Sequence, residues 1–380
     1  MEIYIVKCHD TVESIAEEYG ITTESIIFNN QIPSPYPLTT GQALLLSTKS
    51  GTETRPDLFS NGYAYPSISN YVLWQSFPFL AGLSVISYSF THNGHLVPPG
   101  YGESRMIAAA KQNDTMPLLT LTTEQNNASN NFLSSAVLNN PRIQSVLIDE
   151  LMQVMSEKKY SGINIDFHDI EAEDKLLFAD FVWNVRQSLN PLGYLVSVAL
   201  PPKLSDYQSG ASVRGYDFGL LGEAADHLVL MAYEFGCSAS GPMAIAPINR
   251  VRSAVEYAVS RIPAEKIRLG IPNYGFDWSL PHISGISQAR VIGNIDAAHL
   301  AITHQSEIHF DETSMSPFFF YTEFDTEHIV WFEDVRSLNA KFDLVCNHEL
   351  NGVGYWQIDP LFRASFLLLD DRFIIQSNNL

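Results

Sequence analysis

Hydrophobic and polar residues alternate one by one along Gly162-Ile-Asn-Ile-Asp-Phe-His168. As a strand, this segment turns Asn164, Asp166 and His168 to one face and Ile163, Ile165 and Phe167 to the other. A strand buried in a parallel sheet normally reads as a nearly continuous apolar run. Three polar groups on one face must therefore be hydrogen-bonded or solvated, because burying each unpaired costs roughly 2–7 kcal/mol. The row marks either an enclosed polar site or an edge strand with one wet face. Apolar segments of strand length recur at 60–65, 83–90, 117–122, 195–201, 227–233, 268–274 and 352–358. Helical patterns lie between several of them, such as Asp174–Leu189 with Leu177, Phe178, Phe181 and Val185 on one face. Eight strands alternating with helices predict an α/β fold, a (β/α)8 TIM barrel with its chemistry at the C-terminal strand ends. A doubly wound open sheet is the alternative, but no Gly-rich phosphate loop follows an early strand. The gap between strands seven and eight is too long for one helix. Residues 279–330 are expected to form a small α+β insertion, with 318–324 and 328–334 as a hairpin.

The N-terminal residues follow another plan. IYIVKC (3–8) is strand-like, and Asp10 or Thr11 can cap a helix running to Gly20, with Val12, Ile15 and Ala16 on one face. A second short helix starts near Thr22 or Thr23 and ends at Asn29-Asn30, and ALLLS (43–47) returns as a strand. This βααβ unit needs its helix pair to cover a small core. The stretch Ser47–Pro56 is polar with Gly and Pro, which sets a linker at 49–56 between units at 1–48 and 57–380.

Charge narrows the partners. With 42 acidic against 22 basic residues, a net charge of −20 argues against nucleic acid or anionic lipid. The 12% aromatic content offers rings for stacking on sugar faces. Cys8, Cys237 and Cys346 are far apart, and His348-Glu349 has no second His four residues on, so neither a disulfide framework nor a metal site is expected. No cofactor is indicated. The chain opens on MEIYIVKC, with no basic segment followed by an apolar one, so no secretory signal is expected. Residues 58–102 carry no Asp, Glu, Lys or Arg, but Pro66, Pro78, Pro98 and Pro99 break the run into pieces too short to span a bilayer. No membrane partner is expected, and nothing in the pattern fixes an oligomeric state.

The first unit resembles a LysM domain. His9-Asp10-Thr11 stands at that family's Gly-Asp-Thr turn, Asn29-Asn30-Gln31-Ile32 at its Asn-Asn-x-Leu, and Gly41-Gln42-Ala43-Leu44 at its Gly-Gln-x-Leu. The resemblance implies binding of N-acetylglucosamine polymers, peptidoglycan or chitin, in a shallow groove between the loops flanking the helices. Asp10, Thr11, Asn30 and Ile32 would lie near that groove. A single copy implies modest affinity, since such modules often rely on multivalency.

Everything after the linker resembles the glycoside hydrolases of family 18, most of all a spore-associated branch that pairs LysM with this barrel. SNGYAYP (60–66), MAYEFG (231–236), LGIPNYGFDW (269–278), SPFFFYT (316–322), VWFEDVRS (330–337), GVGYWQID (352–359) and LLLDDRFII (367–375) carry the resemblance, in order. It implies localisation to the spore surface or cell wall. It also implies a substrate-assisted retaining mechanism, an exception to the two-carboxylate scheme. The substrate's N-acetyl oxygen attacks the anomeric carbon, an Asp stabilises the oxazolinium-like ion, and a Glu two residues on protonates the leaving oxygen.

In the family's D-x-x-D-x-D-x-E pattern the last Asp corresponds to Asp166, the middle one to Asn164 and the first to Ser161. The Glu corresponds to His168. Imidazolium can in principle donate a proton, but it is rigid and carries charge where Glu is neutral. General acid catalysis is worth typically about 10²–10⁴-fold, so hydrolysis is expected to be weak or lost. Asp169 has the wrong parity to substitute, and Glu171 lies past the strand end. Tyr233 matches the Tyr that holds the N-acetyl group, and Glu234 stands where Asp is usual. Trp356 matches the aromatic floor under the sugar, and Met231 lines that floor. The resemblance thus implies a glycan-binding pseudoenzyme. The alternatives are an active N-acetylglucosaminidase using His168 or a displaced carboxylate, and a structural coat component with a vestigial pocket.

Overall fold

The computed structural model describes residues 1–48, 55–123, 131–208, 210–233 and 235–376. Eight strands form the barrel: Asp57–Ala64, Gly82–Phe90, Met116–Thr122, Gly162–Asp166, Leu195–Leu200, His227–Leu230, Ile267–Pro272 and Gly352–Trp356. Each pairs in parallel with the next, and the eighth returns to the first with Val353 opposite Ser60 and Gly354 opposite Asn61, which closes the barrel. The alternation in the fourth strand resolves as the enclosed site. Ile163, Ile165 and Phe167 are buried against the helical layer, where Phe167 stacks on Phe178 and Phe181 of the helix Lys175–Leu189. Asn164 and Asp166 face inward and are buried as well. Strand six ends earlier than its apolar run. After Leu230 the chain curls through two tight turns, Ala232 N–H to Leu230 O and Tyr233 N–H to Met231 O, both 2.8 Å.

The insertion begins before residue 279. Strand seven stops at Pro272, and Tyr274–Leu280 already belongs to a separate five-stranded antiparallel sheet. Its order is Arg290–Gly293, Tyr274–Leu280, Thr326–Trp331, Ser316–Glu323, His309–Asp311, with the helix Asn294–Thr303 packed on it. The expected hairpin forms two residues earlier, around a two-residue turn. Phe324 and Asp325 both have positive φ (46° and 59°), as the twist of such a turn demands. Phe-Asp carries no glycine to announce it.

The N-terminal unit pairs Glu2–Ile5 with Ala43–Leu46 and covers them with the helices Val12–Tyr19 and Thr23–Asn30. Thr11 caps the first helix reciprocally with Ser14, and Gly20 ends it at φ 63°. Val12, Ile15 and Ala16 fill the core of this unit. It is not a free appendage. Thr39 Oγ1 donates to Ser306 O (2.7 Å), Ile308 N–H to Thr40 O (2.9 Å), and the Gln31 amide bridges Leu361 O and Arg363 N–H. Arg363 also lies over the Phe28 ring, 3.9 Å from its centroid. Among the described residues no helix is long and apolar enough to cross a membrane.

Candidate active site

The barrel interior is layered by strand register. Phe59, Met116 and Leu118 cluster at the bottom with Leu195 against them. Above them run paired polar groups: Asn61 Nδ2 donates to Ser84 Oγ (3.0 Å), and Ser197 Oγ donates to Asn164 Oδ1 (3.0 Å). Tyr63, Ile86 and Val229 form an apolar patch near the C-terminal strand ends, with Trp356 packed on it. The Tyr63 and Trp356 rings are 5.4 Å apart at 53°.

Asp166 is only 6% exposed, and its Oδ1 has no well-aligned hydrogen bond among the described residues. His168 Nε2 stands 3.2 Å from that oxygen, within ion-pair distance though off the line of a good hydrogen bond. The His168 backbone N–H donates to Thr123 Oγ1 (3.2 Å), and the Tyr216 hydroxyl donates to Phe167 O, so both sides of the turn leaving strand four are pinned. Burial, reinforced by the charge of Asp166, pushes the Tyr63 phenol far above its ordinary pKa, while Arg268 opposes. Asp166 and Trp356 end their strands and Tyr63 stands one residue before the end of its own, so all three lie at the C-terminal side of the barrel. Tyr63 was not picked out by sequence reasoning. Its signal was parity, since Asn61 and Tyr63 lie on the inward face of strand one as Asn164 and Asp166 do on strand four.

Tyr233 is buried with its ring against Gly270 of strand seven, where an added Cβ would come within 2.6 Å of a ring carbon. Met231 is buried beside it in sequence, and Glu234 lies outside the described residues. Trp356 is held through its backbone. Asn273 N–H donates to Trp356 O (2.9 Å), and Asn273 Nδ2 donates to Gln357 O and Pro360 O, each 2.8 Å. Trp356 also edges a cavity of about 650 Å³ shared with Cys237, Tyr274, Phe276 and Val291, so the insertion forms a wall beside the barrel mouth. Of the nearby carboxylates, Glu171 is exposed and Asp169 half-buried at φ 51°. Among the described residues no cluster of three metal-ligating side chains occurs.

In the N-terminal unit, Asp10 closes its loop by accepting from the Tyr4 hydroxyl and Lys7 N–H, both at 2.7 Å. Burial and that hydrogen bond push the Tyr4 phenol up to about 12. Asn30 and Ile32, expected near the groove, are both buried. Asn30 is buried, with its amide donating to Ile26 O and Leu45 O and accepting from Leu45 N–H, and Ile32 lies in the core. They shape the loop from beneath.

At the C-terminal strand ends of this closed (β/α)8 barrel, where such folds carry their chemistry, stand a buried carboxylate and a packed pair of aromatic rings. Residues 58–360 match the family described as glycosyl hydrolases family 18, and residues 4–47 match the LysM domain. The chain belongs to glycosyl hydrolase family 18 and carries an N-terminal LysM domain. It is 31% identical to the cortical fragment-lytic enzyme of Bacillus subtilis (strain 168), with 98% of each chain covered. It is 30% identical to the putative sporulation-specific glycosylase YdhD of the same organism, covering 98% of this chain and 88% of that one. The crystal structure of the Bacillus cereus spore cortex-lytic enzyme SleL superposes with a TM-score of 0.95 at 29% identity, covering 100% of this chain and 99% of that one.

Proposed function

We propose that this protein holds N-acetylglucosamine-containing glycan of the spore cortex or cell wall through its LysM module and its barrel mouth, and hydrolyses it weakly or not at all. The observation that supports this reading is an imidazole, not a carboxylic acid, two residues after the buried Asp166: His168, read here as standing at the acid position. In a substrate-assisted reaction the N-acetyl carbonyl oxygen bonds to the anomeric carbon as the glycosidic bond breaks. Asp166 would balance the positive oxazolinium, Tyr233 would hold the acetamido group, and Trp356 would lie under the ring. Asn164, hydrogen-bonded to Ser197, lies in the layer below Asp166. Only the proton for the departing oxygen lacks a carboxylic acid donor. Glycan of the spore cortex as the substrate class draws on relatives named for lysis of the cortex and its fragments.

The test is turnover of an N-acetylglucosamine oligomer. His168→Glu is expected to raise hydrolysis by about two orders of magnitude, the low end of what a positioned acid contributes, and Asp166→Asn should abolish the gain. Trp356→Ala should weaken oligomer binding by about 1 kcal/mol or more, as for a buried aromatic anchor. Robust turnover by the natural chain, lost in His168→Ala, would instead make His168 a working acid. No gain from His168→Glu would overturn the reading that this one residue limits catalysis.

A further inference from the structure

We infer that one glycan strand can run continuously from the LysM loop, over the outer face of the insertion, into the barrel mouth beside Trp356. The inference rests on the glycan-binding reading and adds the path. Three concavities, of about 740, 430 and 650 Å³, follow one another across the molecule. The first lies between the LysM loop, at Pro33, Pro37, Leu38 and Thr40, and the end of the helix Asn294–Thr303. It shares His299 and Thr303 with the second, which runs along that helix and the strand Arg290–Gly293. The second shares Val291 and Gly293 with the third, which reaches Trp356 and Gln357.

The two ends of this track hold a fixed relation. His299 Nε2 lies 2.9 Å from Gln31 O, and Thr39 and Thr40 are hydrogen-bonded to Ser306 and Ile308 just beyond the helix. The lining suits a neutral sugar polymer. Proline, leucine and isoleucine surfaces alternate with Thr40, Thr303, Gln305 and His299, matching the apolar faces and hydroxyl edges of sugar rings. In a chain with 42 acidic residues, Asp296 and Asp359 are the acidic residues and Arg290 the one lysine or arginine that line the track among the described residues, so neither a basic nor an acidic polymer is favoured. Two weak sites held rigidly on one strand gain affinity through effective concentration, typically 10²–10⁴-fold over either alone. A single LysM copy then suffices for substantial binding.

The experiment measures affinity of the full chain for N-acetylglucosamine oligomers of increasing length, in the natural protein, Thr303→Trp and Val291→Arg. Thr303 and Val291 are exposed junction residues, so melting should be unchanged. The natural protein is expected to bind long oligomers at least tenfold more tightly than the dimer. Both variants should lose at least tenfold for long oligomers, and Thr303→Trp, which lies away from the barrel mouth, should lose nothing for the dimer. Length-independent binding, or full long-oligomer affinity in both variants, would overturn the continuous path and leave the glycan-binding reading standing. Absence of binding by the natural protein at every length would overturn both.

Discussion

His227 lies inside the barrel on the strand after Asp226, and burial, with the charge of Arg268 second, holds its pKa down at about 3 against an ordinary 6.5. Arg268 is itself buried over the Phe59 ring, 3.6 Å from its centroid, and burial lowers it to about 9. At neutral pH the arginine is charged and the histidine is not. The unfolded chain therefore binds more protons at this site as pH falls below 6.5, and stability is lost progressively toward about 3. His227→Gln should flatten that acid limb. A melting-temperature series from neutral pH downward checks it, and parallel acid limbs in parent and variant would dismiss the idea. At the same scale, the parity of Asp166 and His168 was readable from seven residues. The pairing of Tyr63 with Trp356 was not, because it joins strands almost three hundred positions apart.

Among the elements, the junction of the insertion with the barrel holds a buried ion pair. Glu333 follows the insertion strand Thr326–Trp331, and Lys341 lies on the helix Val335–Asn347. Their charged atoms are 2.8 Å apart with side chains 0% and 1% exposed. Burial raises the Glu333 carboxyl above its usual range despite the lysine, and Glu333 Oε1 has no hydrogen-bond partner among the described residues. Lys341→Met strands that carboxylate, and should cost about 3–5 kcal/mol in urea unfolding. The double change Glu333→Gln with Lys341→Met should recover most of the loss. If the single variant loses less than the double, the pair is not what stabilises the junction. Sequence reading placed Glu333 in an ordinary strand end, since a buried acid and an exposed one look alike until their neighbours are known.

Across the whole molecule, the docking of LysM depends on backbone approach at one residue. Gly41 has φ 82°, and an added Cβ would stand 1.9 Å from Ile308 O. Arg336 Nη2 donates to Gly41 O at 3.2 Å on the same side. Gly41→Ala should therefore loosen the docking, read as faster hydrogen exchange at the Ile308 amide, which donates to Thr40 O, with the strand Gly162–Asp166 unchanged. Equal protection at Ile308 would mean that the contact yields without separating the units.

The chain's own pattern determined the order of strands and helices, the inward row at Asn164 and Asp166, the βααβ unit and its Thr11 cap. It also placed His168 two residues after Asp166, on the same face of the strand. Alternation, helical periodicity and caps are set by residues within a few positions of one another, so they can be read locally. The tertiary structure decided what depends on distant partners. It turned Asn30 toward the backbone of its own module and began the insertion at Tyr274, where Asn273 fastens strand seven to the loop bearing Trp356. It brought Tyr63 to Asp166, and it seated LysM on the insertion. Each of these rests on contacts between residues far apart in sequence, which leave no periodic trace in either segment.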